Sequence, residues 1–169
     1  MAVADGQMGI HAQEKGLVLG LDPGRDKTGF AFTDKEGSLL LAGIFPTKEQ
    51  DKFFACVLSR EGLSEWLTEG ILEDLTGSIE FIAIGDGTHS KDFTRKVKAS
   101  LPYPVLVVDE KNTTLEARTL YWKLHHPSIW TRLLPEGMRV PKRVLDDLAA
   151  WAIAIRAVKK YRDMRPNKL

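Results

Sequence analysis

Two hydrophobic rhythms alternate along this chain. Leu17-Val18-Leu19-Gly20-Leu21 is a short, continuous apolar run that stops at Asp22-Pro23-Gly24. An apolar run of that length bounded by a turn predicts a buried strand ending at Asp22. Thr28 to Thr33 is aromatic and β-branched and predicts a second strand. After a polar turn over Asp34 to Gly37, Ser38 to Phe45 predicts a third. Turns this short make the three an antiparallel meander. From Lys48 to Leu75 the period changes. Phe53, Phe54, Val57 and Leu58, then Leu63, Trp66, Leu67, Ile71 and Leu72, recur at helical spacing, with Gly62 and Gly70 as breaks. Ile79 to Ile84 predicts a fourth strand, Lys91 to Leu101 a helix, and Pro104 to Val108 a fifth strand. Thr113 and Glu116 have the spacing of a capping box opening a helix to about His126, where Pro127 stops it. Residues 128–142, with Pro135, Gly137 and Pro141, read as a loop. A last helix runs from about Arg143 to about Tyr161, its stripe being Val144, Leu148, Trp151, Ile155 and Val158.

Three meandering strands followed by two strands reached through helices require parallel pairing for the last two, by right-handed crossovers. The simplest arrangement is a mixed five-stranded sheet of order 3-2-1-4-5 with helices on both faces, the ribonuclease H-like architecture. The expected organisation is a flexible leader over 1–15, one domain over 16–162 and a basic tail over 163–169.

Composition narrows the class without choosing a function. The chain has 169 residues, 43% apolar and 28% charged, which suits one globular domain with a buried core. No apolar run approaches membrane-spanning length, no secretory leader is evident, and one cysteine, Cys56, forms neither an internal disulfide nor a cysteine cluster. The expected location is the cytoplasm, with no membrane partner. The net charge of +1 hides an asymmetry: 7 Lys and Arg against 14 Asp and Glu up to residue 80, and 17 against 9 beyond it. A basic second half, including Arg156, Lys159, Lys160, Arg162, Arg165 and Lys168 near its end, permits a polyanionic partner.

The carboxylates give the sharper signal. Asp22 ends the first strand, Asp86 follows the fourth within Gly85-Asp86-Gly87-Thr88, and Asp109 and Glu110 follow the fifth. In the order 3-2-1-4-5 these three strands are neighbours, so their carboxyl-terminal ends share one edge, where ligands of α/β sheets bind. Asp146 and Asp147 open the last helix, and Ala149, Ala150, Ala152 and Ala154 let that helix lie close to the sheet, bringing Asp146 within reach of Asp22. Clustered carboxylates repel unless cations neutralise them. An oxygen-rich set without cysteine suits Mg²⁺ or Mn²⁺ rather than Zn²⁺. Each of these acids also has a plain structural reading, as a turn former or helix-end residue.

The segments Leu19-Gly20-Leu21-Asp22-Pro23-Gly24 with Thr28-Gly29, Val108-Asp109-Glu110-Lys111 with Thr113-Thr114-Leu115-Glu116-Ala117, and Leu145-Asp146-Asp147-Leu148-Ala149-Ala150 resemble the YqgF family. These are relatives of the RuvC-type Holliday-junction resolvases within the ribonuclease H-like fold. Gly85-Asp86-Gly87-Thr88 is similar to the Gly-Asn-Gly-Thr of the YqgF-like domain in the transcription accessory protein Tex. The resemblance covers about residues 17–158.

It implies a metal-dependent endonuclease acting on structured DNA or RNA, a Holliday-junction resolvase or a nuclease maturing pre-16S ribosomal RNA, working as a monomer or homodimer. Carried over residue by residue, Asp22, Asp109 or Glu110, and Asp146 are the catalytic carboxylates. Asp22, Asp86, Glu110 and Asp146 are the metal ligands. Lys111 stands where the family has an Arg, which keeps a cation and loses the bidentate fork. RuvC-type enzymes place a Glu on strand four, for which this chain offers Asp86 slightly later. Trp130, beside Arg132, Arg139, Lys142 and Arg143 in the 128–142 region, is the aromatic best placed to meet nucleic acid, with Lys111 on the preceding turn. Two alternatives stand beside this reading: a Tex-like domain that binds nucleic acid without cutting, and a nucleotide-binding half of an actin-type ATPase. His125 and His126, at a helix end, read as structural, and Trp151 as core.

Overall fold

The computed structural model describes residues 15–165. The leader, apart from Lys15, and the end of the tail lie outside the described residues. The sheet has six strands: β1 (Gly16–Pro23), β2 (Lys27–Thr33), β3 (Leu39–Pro46), β4 (Leu67–Gly70), β5 (Ser78–Gly85) and β6 (Val105–Val108). Their order is β4-β3-β2-β1-β5-β6. β1, β2, β3 and β4 pair antiparallel, while β5 runs parallel to β1 and β6 parallel to β5. The expected five-strand order is present, extended by one short edge strand.

That strand, β4, corrects the helical reading of 48–75. Only α1 (Gln50–Ser59) is α-helical there; Leu63–Trp66 is a single 3₁₀ turn, and the chain then pairs with β3. Gly62 and Gly70, both at positive φ, mark the two changes of direction. Burial alternates along β4, but Leu67 is its one large apolar residue, so the alternation leaves no hydrophobic period in the sequence.

The remaining helices are α2 (Ser90–Ser100), α3 (Thr113–Leu124), α4 (Ile129–Arg132) and α5 (Asp146–Met164). The capping box of α3 does not form. Asn112 holds the N-cap position in the left-handed region, Thr113 Oγ1 donates to the Glu110 carbonyl, and Glu116 turns instead to Arg156. α5 begins at Asp146, three residues later than expected, and Arg143 lies ahead of it, paired with Asp147 and Glu69. Val144 consequently lies outside the stripe and is exposed.

Strand alternation assigns the two faces. Leu17, Leu19, Leu21, Phe30, Phe32, Leu41, Phe45, Ile82 and Ile84 join Phe53, Phe54 and Val57 of α1 and Phe93 and Val97 of α2 in one core. On the other face Ala31 and Ala42 meet Ala149, Ala150 and Ala152 of α5, and Val18, Phe81 and Ala83 meet Ile153, Ala154 and Ala157. Large side chains fill one face; small ones bring α5 onto the other. Trp151 is core, and its Nε1–H donates to the Gly37 carbonyl at 2.9 Å. Cys56 is half-buried against the first core. Among the described residues no helix is long and apolar enough to cross a membrane.

Candidate functional site

The phase that sends Leu17, Leu19 and Leu21 into the α1–α2 core turns Val18, Gly20 and Asp22 toward α5. Asp22 pairs across the ladder with Gly29. A Cβ on Gly29 would collide with the backbone carbonyl of Asp146, and one on Gly20 with that of Ala150. These two missing side chains let the first turns of α5 rest on β1 and β2, and so set Asp146 beside Asp22.

Glu110 arrives from the other side. Asp86 N–H donates to the Val108 carbonyl at 3.0 Å, and Glu110 N–H returns a bond to Asp86 Oδ1 at 3.0 Å. Asp109 Oδ1 accepts from Lys111 N–H at 2.7 Å. The carboxylates of Asp86 and Asp109 thus shape the turn after β6. The Glu110 side chain occupies the space over Gly85 and Gly87. Its charge, not that of Asp109, is felt at Asp22. Of the acids singled out in the sequence, the structure groups Asp22, Glu110 and Asp146 electrostatically and leaves Asp86 as a neighbour of Glu110.

Burial, then the charges of Glu110 and Asp146, push the Asp22 carboxyl up to about 7. Asp146 is raised by burial and by Asp147, with Lys27 acting against both. Glu110 is raised by burial, then by Asp86, opposed by a hydrogen bond from the Gly87 backbone and reinforced by Asp109. Burial is the largest cause at each of the three, and neighbouring carboxylates add to it.

Two arginines of the basic half are committed to holding this arrangement. Arg156 donates to the carbonyls of Asp109 at 2.6 Å and Lys111 at 2.7 Å, and pairs with Glu116. It pins the turn that carries Glu110. Arg143 donates to Asp147 Oδ1 at 2.9 Å and to Glu69 Oε1 at 2.6 Å, and lies over the Tyr121 ring. Asp147 is fully buried and also accepts from Thr68 Oγ1. Glu69 is shared with His125 Nε2 at 2.6 Å, which gives that histidine a structural partner. The edge strand β4 is thereby tied to α3 and to the start of α5.

Arg139 likewise spends its guanidinium on the carbonyls of Leu134 and Arg132. Lys111 and Trp130 are exposed, and Arg132 and Lys142 lie at the surface of the 128–142 region without a carboxylate partner among the described residues. Trp130 sits on the four-residue α4, apart from the carboxylates' cavity. That cavity, of about 290 Å³, is lined by Asp22 and Asp146, by Thr114 and Arg118 of α3, and by Val140 and Pro141 of the α4–α5 connection. Arg118 belongs to none of the motifs. Its signal is positional: Thr114, Arg118 and Trp122 fall on one face of α3 at intervals of four. Arg25, His89 and Lys96 line a smaller cavity beside Pro23.

Strand order and site together define a ribonuclease H-like domain carrying acidic residues at the carboxyl-terminal edge of its parallel strands. A protein of Rippkaea orientalis (strain PCC 8801 / RF-1) described as "Putative pre-16S rRNA nuclease" is 31% identical over 127 residues, spanning 70% of this chain and 85% of that protein. The chain belongs to that protein's family, the YqgF family. No family model matches the chain. Among solved structures, Thermus thermophilus RuvC aligns over 89% of this chain and 96% of its own, at 18% identity and a TM-score of 0.43. That likeness is distant; the order of the strands itself places the fold.

Proposed function

We propose that this protein is a metal-dependent endonuclease that hydrolyses phosphodiester bonds in structured nucleic acid. The observation that carries the reading is that Asp22 and Asp146 line one cavity at the strand edge, with Glu110 on the turn after β6 close enough for its charge, after burial, to help raise the Asp22 carboxyl to about 7. Family membership supports it, since the relative from Rippkaea orientalis is described as a "Putative pre-16S rRNA nuclease".

The donor set suits a hard divalent cation. The three groups are carboxylates, and a cation relieves the repulsion that raises Asp22. Among the described residues no three His, Cys, Asp or Glu side chains already converge in a metal-binding arrangement. The fit is therefore one of chemistry and charge. Asp22, Glu110 and Asp146 would hold Mg²⁺ or Mn²⁺, which when bound supplies charge neutralisation at the scissile phosphate and activation of water.

The chain's own residues do the rest. Arg118, on the wall of the carboxylates' cavity, attracts the phosphate backbone into it. Lys111, on the turn after β6, and Lys142, ahead of α5, add exposed cations, and Arg156 keeps Glu110 in place by fixing the two carbonyls on either side of it. Leu148, Ala149 and Ala150, packed on the sheet, hold Asp146 on a rigid helix.

Side-by-side cleavage of a four-way junction, a duplex and a structured RNA, with and without Mg²⁺ or Mn²⁺, tests this. Cleavage that requires metal and disappears in Asp22→Asn is the expected result. A parent protein that binds these substrates and cuts none of them, with either metal, would overturn it in favour of a binding domain.

A further inference from the structure

A second cavity, larger than the one that holds the carboxylates, lies next to it along α3. It measures about 540 Å³, and Arg118 stands in the wall of both. Its lining combines Leu115, Trp122 and Pro127 with the cations Arg118, Lys123 and Arg139, and a single acid, Glu136. That volume is in the range of pockets that enclose a small organic group. An aromatic wall within a basic surround matches a nucleotide, whose base is flat and apolar-faced and whose phosphate is anionic.

A second observation points the same way. The Trp122 indole Nε1 is buried without a hydrogen-bond partner among the described residues. Buried donors are paired as a rule, so this one marks the Trp122 side of the cavity as a place where a polar partner is missing. Trp122 lies one helical turn beyond Arg118, about 6 Å along the axis at 1.5 Å per residue. A strand whose phosphate meets Arg118 at the carboxylates therefore has its neighbouring nucleotide at this cavity.

We infer that the Trp122 cavity receives an unpaired base of the substrate strand, next to the phosphate held by Arg118. The inference rests on the nuclease reading and deepens it: the preferred substrate has an unpaired nucleotide beside the cleavage point, as a bulge or loop. A base held in a duplex is stacked between its neighbours and does not enter a pocket unless it is extruded.

Gly137 supplies a clean test. It lines the cavity at ordinary backbone angles, and a Cβ built there meets nothing within 4 Å. Gly137→Trp adds bulk at the cavity without a clash in the fold. Thr119→Phe does so from exposed α3. Trp122→Ala is the direct variant, but it also removes packing against the α3–α5 core. Fluorescence anisotropy, with catalysis blocked by EDTA, compares a fully paired duplex with the same duplex carrying one unpaired nucleotide, each in RNA and DNA. The parent is expected to bind the bulged form about tenfold or more tightly. Gly137→Trp and Thr119→Phe are expected to lose that preference while binding the paired form as the parent does, with unchanged thermal melts. The RNA and DNA arms show which strand supplies the base.

Equal parental affinity for bulged and paired forms overturns the inference, as does a preference that survives both plugging variants. Either outcome leaves the nuclease reading intact if metal-dependent cleavage persists. Failure to bind any nucleic acid overturns both.

Discussion

Gly29 and Asp146 touch backbone to backbone: the Asp146 carbonyl occupies the position that a side chain on Gly29 would take. Because Gly29 is the ladder partner of Asp22, this one contact sets how near the α5 carboxylate stands to the β1 carboxylate. Gly29→Ala should therefore lift the start of α5 off the sheet. The expected cost is about 1–3 kcal/mol in urea unfolding, the usual range for overpacking. Cleavage should fall further than the stability loss alone explains. Full activity in a folded Gly29→Ala protein would show that the spacing of Asp22 and Asp146 is unimportant.

The second expectation concerns pH in EDTA. Asp22 titrates near 7 in the folded protein and near 3.8 when unfolded. The folded state thus keeps a proton that the unfolded state releases, so this group costs stability progressively as pH rises from about 4 to about 7. Asp22→Asn removes the cost. At about pH 8 the variant should be more stable than the parent by about 2 kcal/mol, roughly half the full conversion because the site is partly screened by solvent. The difference should vanish below about pH 4. Added Mg²⁺ should raise the parent's melting temperature at pH 8 and leave that of the variant unmoved.

Arg143 and Asp147 form a third test. Asp147 has no exposure and takes its charge partner from Arg143. Arg143→Ala leaves that carboxylate buried and without its ion pair, at an expected cost of about 3–5 kcal/mol. Removing both, in Arg143→Ala with Asp147→Ala, should cost clearly less than the sum of the single changes. Additive losses in a denaturation cycle would mean that the pair is not coupled.

A fourth prediction separates surface cations from structural ones. Arg132 and Lys142 lie at the surface of the 128–142 region, whereas Arg143 and Arg156 are spent on carboxylates and carbonyls. Replacing Arg132 and Lys142 with Ala should flatten the dependence of log affinity on log salt by about one for each phosphate that the variant no longer neutralises. Binding titrations at several salt concentrations read this directly. An unchanged slope would move the phosphate track to Arg25 and Lys96, beyond Pro23.

Much of this molecule is decided locally and is therefore legible in the residues. Continuous apolar runs with tight turns define five of the six strands, and their connections admit few topologies. The positions of Asp22, Asp86, Asp109 and Glu110 at strand ends follow from the same pattern. The alanines of α5 announce a helix pressed on the sheet, as it is.

What tertiary structure alone decides is how like residues divide their work. Asp109 and Glu110 are adjacent in sequence, yet one bonds the turn and the other lies over Gly85 and Gly87, because the turn after β6 is closed by Lys111 N–H and anchored by Arg156 from α5. Asp146 and Asp147 part in the same way: one opens to the cavity, and the other is sealed under Arg143 and Thr68. The edge strand β4 escapes periodicity because Thr68 and Glu69 are held by partners far along the chain, at Asp147, His125 and Arg143. A charge count registers a basic second half; only long-range packing determines which of its cations are spent inside the fold and which face the solvent.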